Sequence, residues 1–131
     1  MNTGRCLCGA VRYELDLPLT AVTYCHCSMC RRWNGHVSAY TAVDRDGLRI
    51  TEARGLRWYP SSPHAQRGFC GECGSSVLFD EPAESKIGIC AGTLDAPTGI
   101  HEKAHIYTAS KGDYYEIHGD LIAYEVFPGK T

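Results

Sequence analysis

No stretch of this chain stays apolar for the roughly eighteen residues that a membrane-spanning helix needs, so a transmembrane anchor is not expected. The opening residues, Met1-Asn2-Thr3-Gly4-Arg5-Cys6, have none of the apolar core of a secretory signal. A soluble, cytoplasmic protein is therefore the expectation. An excess of basic charge is missing as well. Thirteen Lys and Arg against fifteen Asp and Glu leave a formal charge of −2, which supplies no bulk attraction for nucleic acid or an anionic membrane, and neither is expected as a partner. Internal repeats, low-complexity tracts and linker-like stretches are absent too. With 131 residues, the chain suits a single domain, residues 1–131, large enough to bury a core of its own.

Helical periodicity is also scarce. Short alternating segments dominate: Val11-Arg12-Tyr13-Glu14-Leu15, Val37 to Val43, Leu48-Arg49-Ile50, Leu56 to Tyr59, Ser76 to Phe79, Ile87 to Ala91 and Ala104 to Thr108. They are rich in Val, Ile, Tyr and Thr, and turn residues such as Asp46-Gly47, Arg54-Gly55, Pro60 to Pro63, Lys111-Gly112-Asp113 and His118-Gly119-Asp120 separate them. This pattern predicts a mainly β fold, a single domain of short antiparallel strands with little helix. The one helical turn expected runs from Ser28 to Asn34, with Ser28 as its N-cap and Gly35 as its end.

What the chain has in abundance is cysteine, eight in all. A disulfide framework belongs to secreted domains too small to fold unaided, and this chain has neither the signal nor the size. Cys6 and Cys8, or Cys25 and Cys27, are too close for ordinary bridges with each other, although a long-range bridge such as Cys6 to Cys73 stays open. The spacings favour zinc. Cys6 and Cys8 point to the same side of an extended strand. Cys70-Gly71-Glu72-Cys73-Gly74 reads as a zinc knuckle, whose glycines let backbone amides face the sulfurs. Together they make a closed four-cysteine set, and a site with no open position is structural.

Cys25-His26-Cys27-Ser28-Met29-Cys30 is different, because it places only three thiols within six residues, at the entry to the expected helix. Three protein ligands plus an open position is the pattern of a reactive zinc site, and a helix N-terminus favours thiolate over thiol. The alternative is a second structural site closed by His26, His36, His64 or Cys90. Three thiolates leave zinc a net −1 complex, which acidifies bound water less than three imidazoles would. Such a site suits an exchangeable substrate thiolate better than hydrolysis.

The segments Gly4-Arg5-Cys6-Leu7-Cys8-Gly9-Ala10-Val11-Arg12-Tyr13, Cys25 to Arg32, Arg67-Gly68-Phe69-Cys70-Gly71-Glu72-Cys73-Gly74-Ser75-Ser76, Ala91-Gly92-Thr93-Leu94-Asp95 and His105-Ile106 resemble, in order, the glutathione-dependent formaldehyde-activating enzyme family, which also includes centromere protein V. The resemblance runs from about residue 4 to residue 125. It implies two zinc ions per chain, a structural one on Cys6, Cys8, Cys70 and Cys73 and a catalytic one on Cys25, Cys27 and Cys30. It also implies a β domain with zinc-ribbon-like elements. The implied activity is that of a carbon–sulfur lyase adding glutathione, as co-substrate, to formaldehyde to give S-hydroxymethylglutathione. Small thiols and aldehydes are then the partners. The same ligands would serve a thiol carrier without turnover, and two closed zinc sites would make an interaction module.

Other residues have two readings each. Arg31 and Arg32 are candidate contacts for the carboxylates of a glutathione-like ligand, or exposed charges on a helical turn. Trp33 and Tyr40 wall a cleft or sit in the core. Asp95 belongs to a turn in which it bonds nearby backbone. His26, between two ligands, points away from the metal toward a cleft rim. His105 is a candidate acid or base or a structural histidine, and Cys90 is expected to be buried and inert.

Overall fold

The computed structural model describes residues 2–128, and its architecture is mainly β, as the alternation predicts. A small sheet joins β1 (Asn2–Arg5), β2 (Arg12–Leu15) and β5 (Leu48–Glu52), all antiparallel in the order β1-β2-β5. The larger sheet takes β3 (Val22–Cys25), β4 (Ser38–Asp44), β6 (Leu56–Ser62), β7 (Ala65–Cys70), β8 (Ser76–Asp80), β9 (Lys86–Cys90), β10 (Glu102–Ile106) and β11 (Ile122–Ala123). Its strand order is β11-β10-β3-β4-β9-β8-β7-β6. The helix is α1 (Ser28–Asn34). Among the described residues no helix is long and apolar enough to cross a membrane.

Two ladders depart from the antiparallel expectation: β10 runs parallel to both β3 and β11. Hairpin turns force neighbouring strands to reverse, but the chain between β3 and β10 is long enough to return in either sense. Strands β1, β3, β7 and β11 also lie outside the segments that alternation marked. They are short or carry Gly and Arg, and their pairing is set by neighbours rather than by their own pattern. The final expected strand, Ala104 to Thr108, stops at Ile106 and gives way to a 3-10 turn at Thr108–Ser110.

The core forms where the two sheets meet. In β2 the side chains of Tyr13 and Leu15 are buried while Arg12 faces solvent. They pack with Val11, Val43, Val77, Leu78, Ile87 and Ile89, each burial of a Leu, Ile or Val contributing about 1.5–3 kcal/mol. The Tyr13 hydroxyl remains satisfied inside this core, 2.6 Å from Thr93 Oγ1.

Helix α1 has too few residues to persist alone, and three local features hold it. Its N-cap is Cys27 rather than Ser28: Cys27 Sγ accepts from the Cys30 backbone N–H at 3.2 Å. A cysteine sulfur thus does the work that a hydroxyl usually does, which moves the cap back by one position. Gly35 closes the helix in the left-handed region, at φ 81°, and its N–H bonds the Arg31 carbonyl. Trp33 then clamps the helix to the sheet, donating Nε1–H to Ser76 at 2.9 Å and stacking on Tyr59.

Candidate metal centres and the adjoining groove

The first cysteine set joins the two sheets. Cys6 and Cys8 occupy the turn between β1 and β2, while Cys70 ends β7 and Cys73 sits in the turn before β8. All four sulfurs lie within 4.8 Å of one another. Cys6 to Cys8 and Cys8 to Cys70 measure 3.7 Å each. Tetrahedral zinc with bonds of about 2.3 Å sets its sulfurs about 3.8 Å apart, so the spacing fits that ion and is far too long for a disulfide. All eight cysteines are free.

Backbone amides turn toward these sulfurs, as expected of a knuckle. Val11 N–H reaches Cys6 Sγ at 3.3 Å, and the Glu72 and Cys73 amides reach Cys70 Sγ at 3.4 Å. Gly9 and Gly74, both at φ 84°, make the two turns possible. Hydrogen bonds from Ser75 lead the effects that bring the Cys73 thiol down to about 5. Fixed dipoles are thus aimed at Cys6, Cys70 and Cys73.

The second set comes from adjacent elements. Cys25 ends β3, Cys27 caps α1 and Cys30 lies in its first turn, with the three sulfurs within 4.8 Å of each other. Among the described residues no fourth His, Cys, Asp or Glu joins them. None of the four candidates for closing the site joins the three sulfurs. His26 is buried with its ring between Tyr115 Oη at 2.7 Å and His105 Nδ1 at 2.8 Å. Burial first, with His105, His36 and Lys111 adding, lowers its pKa to about 4, so the ring is neutral near pH 7. His36 pairs with the Tyr114 hydroxyl at 2.6 Å. His64 lies in the β6–β7 turn. Cys90 contacts Ser76 Oγ at 3.4 Å, and burial pushes its thiol up to about 11. Cys30 is shifted the other way, far below the ordinary thiol value, first by hydrogen bonds from Cys25 and Cys27 and further by Ser38 and Arg67.

Strand alternation gives the two faces of β3 different environments. Thr23 and Cys25 face a groove of about 340 Å³, walled also by Tyr40, Ala42, Ile106 and Phe127. Tyr24 and His26 face a separate cavity of about 620 Å³ on the opposite side, with Ala39, His105 and Tyr115. His105 there bonds His26 and stacks on Tyr24. Tyr40 thus lines the groove, whereas Trp33 packs between Tyr59 and Phe69 and does not. Arg31 is half-buried and Arg32 exposed, and neither reaches the groove walls. Asp95 takes its hydrogen bond from the Thr3 hydroxyl at 2.7 Å rather than from nearby backbone.

Sequence reasoning passed over Arg67 except as part of a motif. It is only 2% exposed, and its Nη1 and Nη2 donate to Cys30 Sγ at 3.7 and 3.6 Å. Nη1 also donates to the Tyr40 hydroxyl at 3.2 Å, and the guanidinium lies 4.8 Å from the Phe79 ring centre. Strand β7, Ala-Gln-Arg-Gly-Phe-Cys, lacks a period-two pattern, so no local signal marked this side chain as buried. Tyr107 was likewise unmarked. It packs against the three-cysteine cluster in the left-handed region at φ 56°, a conformation rare for a residue other than Gly.

Fold and sites define a two-sheet β protein with two cysteine clusters able to hold metal ions, one of four sulfurs and one of three. The chain belongs to the family described as glutathione-dependent formaldehyde-activating enzyme, whose family model matches residues 1–110. It is 29% identical over 125 residues to a putative glutathione-dependent formaldehyde-activating enzyme of Halomonas elongata, covering 87% of this chain and 79% of that protein. A fission-yeast (Schizosaccharomyces pombe) protein named as an uncharacterized lyase is 30% identical over 77 residues, covering 58% of this chain and 55% of its own length. The match therefore spans little more than half of the yeast relative. A crystal structure of a Rhodobacter sphaeroides protein superposes with a TM-score of 0.61 at 28% identity, covering 72% of this chain and 88% of that one.

Proposed function

We propose that the protein is a lyase-type enzyme that joins a small thiol to formaldehyde or a related aldehyde, or cleaves the adduct, with glutathione the first thiol to test. Zinc is the ion proposed for both cysteine sets, structural on Cys6, Cys8, Cys70 and Cys73 and catalytic on Cys25, Cys27 and Cys30. The observation that carries this reading is an incomplete ligand set beside a groove: three sulfurs, no fourth donor among the described residues, and Cys25 at the groove wall. Family membership and the names of the relatives support the same class of chemistry.

When bound there, zinc supplies a Lewis-acidic position that favours a thiol in its thiolate form. The chain's own residues supply the rest. The groove walls of Tyr40, Ile106 and Phe127 shed water from a bound aldehyde and hold it near the sulfurs. The Tyr40 hydroxyl oxygen accepts from Arg67 at 3.2 Å and from Asn34 Nδ2 at 3.4 Å. Both of these are donors, which leaves the phenolic proton to be given to an oxygen in the groove. Burial first, and then the Cys90 and Cys30 sulfurs, raise the Tyr40 pKa, so that proton stays on the phenol near pH 7. It is therefore available as the aldehyde oxygen gains charge.

Formaldehyde–glutathione exchange in the presence of metal-loaded protein tests the reading. Acceleration that is lost in Cys27→Ser, with the variant still folded and holding one zinc, is the expected result. An exchange rate equal to the uncatalysed one, at full zinc loading, overturns the enzyme reading and leaves a carrier or a structural module.

A further inference from the structure

Arg67 is a buried cation without a carboxylate. The ion pairs found among the described residues involve Arg45, Arg49, Arg54 and Lys86, and none reaches Arg67. A guanidinium remains protonated at any pH the protein meets, and a charge taken out of water needs a counter-charge or good hydrogen bonds. Arg67 Nε has no partner at all. The remaining donors go to Tyr40, which is neutral, and to Cys30 Sγ. Among the described residues, the Cys30 thiol is the acidic sulfur within its hydrogen-bond reach.

The two cysteine sets differ in this respect. The four-sulfur set meets backbone amides at its core, and the arginines beside it, Arg54 and Arg57, are exposed to solvent. At the three-sulfur set, the buried Cys30 sulfur faces a buried guanidinium. Three thiolates and a divalent ion sum to −1, and Arg67 brings the centre to zero.

We infer that Arg67 is a positioning residue whose buried guanidinium, set against Cys30 Sγ, neutralises the Cys25–Cys27–Cys30 centre when metal is bound, so that an incoming anionic thiolate meets a neutral centre rather than a negative one. This rests on the reading of these cysteines as a metal centre. The role needs positive charge within the buried pocket, and hydrogen bonding alone does not fulfil it. Outer partners of metal ligands commonly change affinity by roughly 10- to 100-fold.

Arg67→Lys and Arg67→Gln separate the two contributions, since Lys keeps the charge without the planar fork and Gln keeps a hydrogen-bond donor without the charge. Competition with a chromophoric chelator reads zinc affinity at each site, and cobalt substitution reads the sulfur-to-metal charge-transfer band. The expected result for Arg67→Gln is a loss of roughly 10- to 100-fold in second-site zinc affinity, with a shifted cobalt band and an unchanged first site. Arg67→Lys should recover most of the affinity. Equal behaviour of the Gln and Lys variants overturns the inference, as does loosening of the first site in both, which would make Arg67 a general structural residue. Wild-type protein that binds a single metal ion, with Cys27→Ser binding the same number, would instead defeat the underlying reading of a second metal centre.

Discussion

Gly55 shows how closely single residues are fitted around the four-sulfur set. A Cβ there would stand 2.6 Å from Cys70 Sγ and 2.9 Å from the Ala10 Cβ. Gly55→Ala is therefore expected to destabilise the protein by about 1–3 kcal/mol, as overpacking typically does, and to weaken metal binding at that set. Urea unfolding and chelator competition on the variant check both effects. Tyr40 makes a second residue-level test. Tyr40→Phe removes the proposed proton donor together with the oxygen that accepts from Arg67 and Asn34, so thiol addition should slow by roughly 10²-fold while zinc content stays that of the wild type. A variant with undiminished kcat would remove Tyr40 from the proposed mechanism. Cys25, Cys27 and Cys30 were readable as one group because they fall within six residues, and Cys6-Cys8 and Cys70-Cys73 were readable as two local pairs. Arg67 and Tyr107 were not, since each matters through contacts with residues distant in sequence, and no local pattern records those contacts.

Among the elements, α1 depends most on its surroundings. Its seven residues carry Cys30 into the second set, yet the indole of Trp33 supplies much of the anchorage, through Ser76, Tyr59 and Phe69. Trp33→Ala should lower the melting temperature and raise amide exchange in residues 28–34 while sparing the core sheet strands. Uniform exchange across the protein would show that the helix does not unfold on its own. The helix itself was legible from Ser28 to Gly35, and so were the strands with alternating Val, Ile and Tyr. The parallel return of β10 beside β3 was not, because strand direction after a long connection leaves no trace in either strand's composition.

On the scale of the whole molecule, the four-sulfur set ties the small sheet to the large one, 62 residues separating Cys8 from Cys70. Disrupting this set should therefore cost more stability than disrupting the three-sulfur set. Cys6→Ser is expected to unfold or aggregate, whereas Cys27→Ser keeps a cooperative transition, as circular dichroism melts of the two would show. The strand order carries one more consequence. Strands β3 and β4, from the first half of the chain, lie between β10 and β9, from the second. Ala53 and Arg54, which link the halves, are exposed. A protease nick at that link would leave two fragments interleaved like clasped fingers, each holding cysteines the other needs. They should travel together through gel filtration as one particle and part only when chelator and denaturant are added together.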